Sequence, residues 1–196
     1  MKIRRLMAIA LCAVAATGIS MAQGLSEAFK GNDEMTRLFV NPLGIDNVTG
    51  LDDAKPVEAI AKKKGLKCEV SNWGEIGQMA KISSPGIAIG GVKIADLYIL
   101  TGKNAGSIVY KSEPSDKYMD MVSNLDKSLA GFQKFSENDA DSSANFNMYM
   151  VDSNYGIAVC SVDSKKTAFA YLIDIKDLQG FMKMGMTLMN TVSDKQ

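Results

Sequence analysis

Apolar and polar residues alternate along much of this chain, which is the pattern of β-strands with one buried face. The pattern is clearest where charged residues separate Leu66, Cys68 and Val70. Turn-forming residues lie between the alternating segments, and those at 102–106 predict a hairpin. Seven segments are predicted to be strands on this basis: 35–40, 66–70, 92–101, 107–111, 146–151, 156–162 and 167–173.

Other segments place apolar residues three or four positions apart, as on one side of an amphipathic helix. The strongest begins at Ser115, a good N-cap, and keeps one apolar stripe from Tyr118 to Phe135. Another ends before Gly65, a residue typical of helix ends. The helices predicted from this spacing are 25–30, 53–64, 75–82, 115–135 and 176–190.

The first 22 residues follow the order of parts in a secretory signal peptide. Basic residues precede an apolar run at 6–16, and Ser20 and Ala22 are small residues suited to cleavage before Gln23. The run is about 11 residues long, against roughly 20 for a membrane-spanning helix. Cys12 has no lipobox in front of it, so lipidation is not expected. The sequence predicts an exported chain, periplasmic or extracellular, with no transmembrane segment after cleavage.

Helices with a single apolar stripe need a partner surface to cover that stripe. Set among short strands, they predict an α+β fold: a two-layer sandwich of a mainly antiparallel sheet with amphipathic helices on one face. A strand set followed by a helix occurs at 92–135 and, more loosely, again at 146–190. Removal of 22 residues leaves 174 of the 196, which suits one domain at 23–196.

Charge and composition exclude several classes of function. Cleavage would leave 19 basic and 22 acidic residues, with Arg37 as the single arginine, which argues against a nucleic-acid partner. Histidine is absent from the whole chain. Its absence excludes Ser-His-Asp and Cys-His catalysis and imidazole metal ligands. No recognisable carboxylate pair or activated nucleophile stands out in the sequence, so catalysis is not expected, and no cofactor is predicted.

Two cysteines remain after cleavage, Cys68 and Cys160. An oxidising compartment would allow a disulfide between them. The bridge would close a loop of about 92 residues and stabilise the fold by roughly 4–5 kcal/mol. Both cysteines lie in strand-like segments, so two buried free thiols are the alternative.

Methionine supplies the sharpest candidate site, because thioether sulfurs are suitable ligands for Cu(I). Met-x-Met patterns occur at 119–121, 148–150 and 182–186. On a helix, residues i and i+2 point about 200° apart, whereas on a strand they share a face. Only Met148 and Met150 therefore pass this test, and methionine commonly fills irregular core gaps. We expect core residues there, with a Cu(I) site as the alternative.

Four weaker features have simple structural interpretations. The glycine-rich stretch at 85–91 fits neither the dinucleotide fingerprint nor the phosphate-binding loop, which favours a flexible connection. Asp139 and Asp141 could be calcium ligands, but the segment around them lacks the glycine and the closing glutamate of an EF-hand loop, which favours a solvated loop. Residues 47–49 match the N-glycosylation acceptor pattern. Asp96 is flanked by apolar neighbours, yet an exposed side chain is expected, since aspartate is rarely buried unless it is paired.

Three segments together resemble a known group of proteins. They are Phe29 followed by Met35–Val40, then Ile94–Leu100, and finally Tyr171–Leu178. Their order is similar to the early strand, the I-x-x-L-x-I-L strand and the closing strand-to-helix step of short exported proteins and lipoproteins that carry only a domain-of-unknown-function label. The resemblance implies a small exported α+β domain. It implies no activity and no catalytic residues.

The sequence therefore favours an exported, non-catalytic binding or assembly domain. Its partner would be a protein, a surface component or a small apolar ligand. A histidine-free, carboxylate-based hydrolase is the enzymatic alternative. A methionine-based Cu(I)-binding protein is the alternative in the metal class.

Overall fold

The computed structural model describes residues 24–102, 105–138, 144–152 and 154–174. The predicted export signal with its cleavage site between Ala22 and Gln23 lies outside these residues. So do the loop with Asp139 and Asp141 and the helix predicted from Lys176. Within the described ranges, no helix is long and apolar enough to cross a membrane.

The helices of the described ranges are short. The helix at Asp33–Met35 runs directly into a π-helical turn, Thr36–Val40. Tight 3₁₀ turns occur at Pro42–Gly44, Val48–Gly50, Gly74–Ile76 and Asp163–Lys165. The α-helices are α1 (Leu25–Ala28), α2 (Asp33–Met35), α3 (Lys55–Lys63) and α4 (Tyr118–Ser128).

Nine strands in the described ranges form a mainly antiparallel sheet, which confirms the α+β class. The strands are β1 (Lys67–Asn72), β2 (Gln78–Ser83), β3 (Ala88–Ile89), β4 (Val92–Gly102), β5 (Ala105–Ser112), β6 (Gln133–Asn138), β7 (Ala144–Met150), β8 (Tyr155–Val162) and β9 (Thr167–Asp174). Their order in the sheet is β1-β2-β4-β5-β9-β8-β7-β6, with the two-residue strand β3 paired to β4. Two meanders, one from each half of the chain, thus meet where β5 pairs with β9.

The sheet buries apolar side chains on both faces. Alternate residues of each strand point to opposite faces, and the buried side chains fall into two separate clusters accordingly. The first face carries residues such as Leu97, Ile99 and Leu172, together with the buried side chains of all four helices. The second face carries the residues in between, such as Tyr98, Leu100 and Tyr171.

Two predicted elements are wrong. Residues 35–40 are helical, not extended: the Asn32 side chain accepts a hydrogen bond from the Met35 N–H, and adjacent Leu38 and Phe39 are both buried. Residues 78–82 of the predicted helix at 75–82 belong to strand β2. Gly77 sets the turn into this strand, since a Cβ there would lie 1.9 Å from the Thr101 carbonyl oxygen.

Two further predictions needed adjustment. Helix α4 ends at Ser128, and the segment with Phe135 turns back as strand β6, so the predicted stripe to Phe135 is too long. Strand β1 forms as predicted but is more exposed, because it lies at an edge of the sheet with β2 as its only described strand neighbour.

Candidate binding groove

An open groove lies where the start of α1, the end of the π-helical turn, the loop at 46–49 and the start of β8 meet. Its volume is about 340 Å³, within the range of roughly 300–1,000 Å³ typical of small-ligand sites. The residues that line it are Gly24, Leu25, Ser26, Val40, Asp46, Asn47, Thr49 and Tyr155.

The loop that forms one wall is held by its backbone. Asn47 adopts a left-handed conformation with φ of 51°, which asparagine tolerates better than most residues. The following turn carries Val48 into the core. Gly106 on β5 allows close contact, since a Cβ there would lie 2.6 Å from the Thr49 carbonyl oxygen. Asn47 and Thr49 are therefore fixed at the rim.

The opposite wall is anchored through α1. Leu25 is buried in the first-face cluster, and Phe29 packs edge-on against Phe132 with ring centroids 5.7 Å apart. The Thr36 hydroxyl donates to the Phe29 carbonyl oxygen at 3.2 Å, which ties the end of α1 to the π-helical turn. This turn ends at Val40, which adds an apolar side chain to the groove.

Tyr155 comes from the first position of β8. One carboxylate oxygen of Asp152 accepts hydrogen bonds from the backbone N–H groups of Asn154 and Tyr155, at 2.7 and 2.8 Å. The Tyr155 carbonyl oxygen in turn accepts from the Val151 N–H at 3.0 Å. The second oxygen of Asp152, Oδ2, is buried without a hydrogen-bond partner in the described chain. A tight turn thus positions the Tyr155 ring.

The groove has an acidic character. Burial raises the pKa of the Tyr155 hydroxyl, the carboxylates of Asp174 and Asp152 raise it further, and a hydrogen bond with the Thr49 side chain opposes them. The Tyr155 hydroxyl therefore stays protonated at neutral pH. Asp46 is the one charged residue among those described as lining the groove. The wall thus offers hydrogen-bonding groups and a negative charge beside apolar Leu25 and Val40.

Asp96 was predicted to be exposed, but its side chain is only 14% exposed and lies between two lysines. Its oxygens are 3.4 Å from Lys81 Nζ and 3.8 Å from Lys111 Nζ. Asp96 lies on the second face with Tyr98 by ordinary strand alternation. The β4–β5 register shifts between Ile94 and Asp96, and this bulge places Ile94 on the first face instead. The strand alternation in the sequence contains no sign of the bulge.

A second enclosed carboxylate, Asp126 on α4, was not singled out from the sequence. Tyr149 donates its hydroxyl to Asp126, the Asn147 amide lies 3.2 Å from both carboxylate oxygens, and Lys134 Nζ lies 3.2 Å from one of them. Burial and this bond raise the pKa of Tyr149. Asp126 lies on the first face and Asp96 on the second, so they cannot act as a catalytic pair.

The structure places Met148 and Met150 on one face of β7, with both side chains buried in the second-face cluster. The Met148 methyl group packs over Gly156, where a Cβ would lie 2.7 Å from it. These surroundings are those of core residues. Among the described residues, no group of three or more histidine, cysteine or acidic side chains is placed to hold a metal ion.

The disulfide allowed by the sequence is absent, and Cys68 and Cys160 are free thiols. Cys68 packs against the first-face cluster from β1, and Cys160 packs against the second-face cluster from β8. Four strands lie between β1 and β8, which separates the cysteines by roughly 24 Å. A disulfide requires Cα atoms within about 7 Å. Burial raises the pKa of the Cys160 thiol to about 12.

The glycine-rich stretch and the N-glycosylation acceptor pattern both lie in the described part of the chain. Gly90, in the glycine-rich stretch, packs against α4, since a Cβ there would lie 2.5 Å from the Asp120 carbonyl oxygen. The Asn47–Thr49 acceptor pattern coincides with the rim of the groove. Nothing in the sequence marks Tyr155 as their neighbour, because strand pairing brings it there from more than 100 positions away.

Comparison with protein-family models, curated proteins and solved structures finds no match for this chain. Its resemblance to short exported proteins of unknown function stays a prediction.

Proposed function

We propose that the protein is an exported, non-catalytic binding domain and that its ligand occupies the groove beside Tyr155. The ligand would be a small molecule or chain end with an apolar body and a cationic or hydrogen-bond-donating group. The observation that carries the proposal is the convergence of Asp46, Thr49 and Tyr155 on one open groove with Leu25 and Val40 in its wall.

The fixed walls support binding rather than a purely structural role. The left-handed Asn47 and the close approach of Gly106 to Thr49 hold the loop before a ligand arrives. The Asp152 turn does the same for Tyr155. A preformed site avoids part of the entropic cost of ordering side chains on binding.

The proposal includes a two-layer fold, in which the described helices form a layer on the first face of the sheet. Their buried residues all join the first-face cluster, which supports it. In this arrangement the groove is a gap at the margin of the helical layer, where Tyr155 rises from the sheet between α1 and the loop at 46–49.

Three probes of equal chain length test the ligand class: n-butylammonium, n-butanol and butyrate. We expect butylammonium to bind most tightly and butyrate least, because Asp46 attracts the ammonium group and repels the carboxylate. NMR titration reports both affinity and place, through the backbone amide shifts of Thr49 and Tyr155. The intact mass of protein purified from its host would also show whether the chain begins at Gln23.

Asp46→Asn should weaken butylammonium binding about two- to fivefold, which corresponds to an exposed ion pair of roughly 0.5–1 kcal/mol, and should leave butanol binding unchanged. Glu75→Gln is the matched control, since Glu75 is an exposed acid that does not line the groove. Equal affinities for butylammonium and butyrate, or shifts that lie outside the groove, would contradict the proposal.

A further inference from the structure

The second face of the sheet is buried although the described helices pack elsewhere. Its large side chains include Tyr98, Met148, Met150 and Phe169, each at most 6% exposed. Side chains of this size on an uncovered sheet would leave far more of their surface to solvent. Something therefore lies over this face.

The described residues do not supply that cover. The second-face cluster consists of strand residues, and the other described apolar side chains packed against it come from the strands and from the β1–β2 connection, Trp73 and Ile76. The buried residues of α1 to α4 belong to the first-face cluster. The cover must come from outside the described ranges.

The points where the two terminal segments join the described chain indicate which of them can cover the second face. Residues 1–23 precede α1, and Leu25 of α1 is buried on the first face. Residues 175–196 follow β9, and Ile173 near the end of β9 is buried on the second face. Strand β9 is central in the sheet. The C-terminal segment therefore starts in the middle of the sheet, next to a second-face residue.

The sequence of this segment fits that position. At helical spacing, Leu178, Phe181, Met182, Met186 and Met189 share one side. The opposite side carries polar residues, including Lys176, Lys183, Thr187 and Asn190. We infer that residues 176–190 dock as an amphipathic helix across the second face of the sheet, with this apolar stripe against Tyr98, Met148 and Phe169.

The length of this segment as a helix matches the width of the sheet that it would cover. Fifteen helical residues span about 22 Å, and the five strand spacings from β2 to β7 span roughly 24 Å. Methionine is abundant on both sides of the proposed contact, with Met148 and Met150 on the sheet and Met182 and Met186 on the segment. Flexible thioethers fill irregular gaps between such surfaces and contact aromatic rings favourably. Docking would add a third layer to the predicted two-layer sandwich.

The two free cysteines supply the test, because they report on opposite faces. Cys160 packs against the second-face cluster, and Cys68 packs against the first. The reaction rate of each thiol with iodoacetamide can be followed by peptide mass spectrometry in the chain as its host processes it. Deletion of residues 175–196 should raise the Cys160 rate at least about tenfold and leave the Cys68 rate unchanged, since exposure restores an ordinary thiol pKa.

Point variants guard against a deletion that simply unfolds the protein, in which case both thiols would become reactive together. Met182→Gln with Met186→Gln should accelerate Cys160 alone. The matched control, Lys183→Gln with Thr187→Gln, changes the opposite side of the same helix and should leave both rates unchanged.

The inference is overturned if Cys160 reacts equally fast in the full chain, the deletion and both double variants. It is also overturned if Cys160 stays protected in a monomeric deletion, or if its protection in the full chain disappears on dilution, which would identify a second copy as the cover. The groove proposal is unaffected by any of these results, because the groove lies at the margin of the first-face layer.

Discussion

The two faces of the sheet are stabilised in different ways. On the first face, polar bonds fix where the helical segments lie: the Tyr110 hydroxyl donates to the Leu38 carbonyl oxygen at 2.6 Å, and the Asn124 amide lies 3.0 Å from both Glu34 oxygens. On the second face, the charged bonds around Asp96 lie at the margin of a largely apolar cluster. The comparison indicates that directional bonds fix the helical layer on the first face, whereas the described side chains of the second face form a mainly apolar surface.

The largest expected effect comes from a cavity on the first face. Leu125 on α4 is fully buried, so Leu125→Ala should lower the free energy of unfolding by about 2–5 kcal/mol. Met119→Ala on the same helix is the control, because Met119 is 37% exposed and should cost little. Urea unfolding followed by circular dichroism measures both. Equal losses would show that the first face is not the firmly packed layer.

A smaller loss should follow from removing one directional bond. Tyr110→Phe leaves the buried Leu38 carbonyl oxygen without its donor, at an expected cost of about 1–3 kcal/mol. Tyr118→Phe removes an exposed hydroxyl that donates to Asp163 and should cost less than about 0.5 kcal/mol. A neutral Tyr110→Phe variant would mean that packing alone positions the π-helical turn.

The smallest effect is expected on raising the pH from 8 to 10, and it separates the faces by their cysteines. Burial raises the Cys160 pKa to about 12 from an ordinary value near 9. Its stabilising contribution is complete below pH 9 and is lost between about pH 9 and 12, because the unfolded chain releases the proton first, at up to roughly 1.4 kcal/mol per pH unit. Several tyrosines with raised pKa values add to this loss.

Unfolding free energies at pH 8, 9 and 10 should therefore fall less steeply for Cys160→Val than for the unchanged protein. The pKa of the Cys68 thiol is also raised by burial, but less, so Cys68→Val should keep most of the original slope. Identical slopes for the two variants would contradict the larger pKa shift of Cys160.

Local patterns predicted most of the sheet, because alternation and turn residues act over a few positions. They were wrong at 35–40, where Thr36, Leu38 and Val40 alternate by chance and the hydrogen bond to the Asn32 side chain favours a helix instead. Asp96 was expected to be exposed because aspartate is rarely buried without a partner. Its partners Lys81 and Lys111 come from the two neighbouring strands, and local patterns do not show which strands those are.

The candidate groove could not be predicted at all. Its loop and Tyr155 meet through the pairing of β5 with β9, which depends on long-range order in the sheet. The cysteines illustrate the same limit: the sequence allowed a bridge, and only the strand order shows that four strands separate them. Neither spacing nor hydropathy reports which strands become neighbours.

The pairing of β5 with β9 also determines when the sheet can be completed. Strand β5 ends at Ser112 and β9 begins at Thr167, and pairing between strands this far apart in the chain is slow because loop-closure entropy opposes it. Until β9 pairs, β5 has an unpaired edge in what becomes the middle of the sheet. A chain that stops short of β9 should therefore aggregate through this edge.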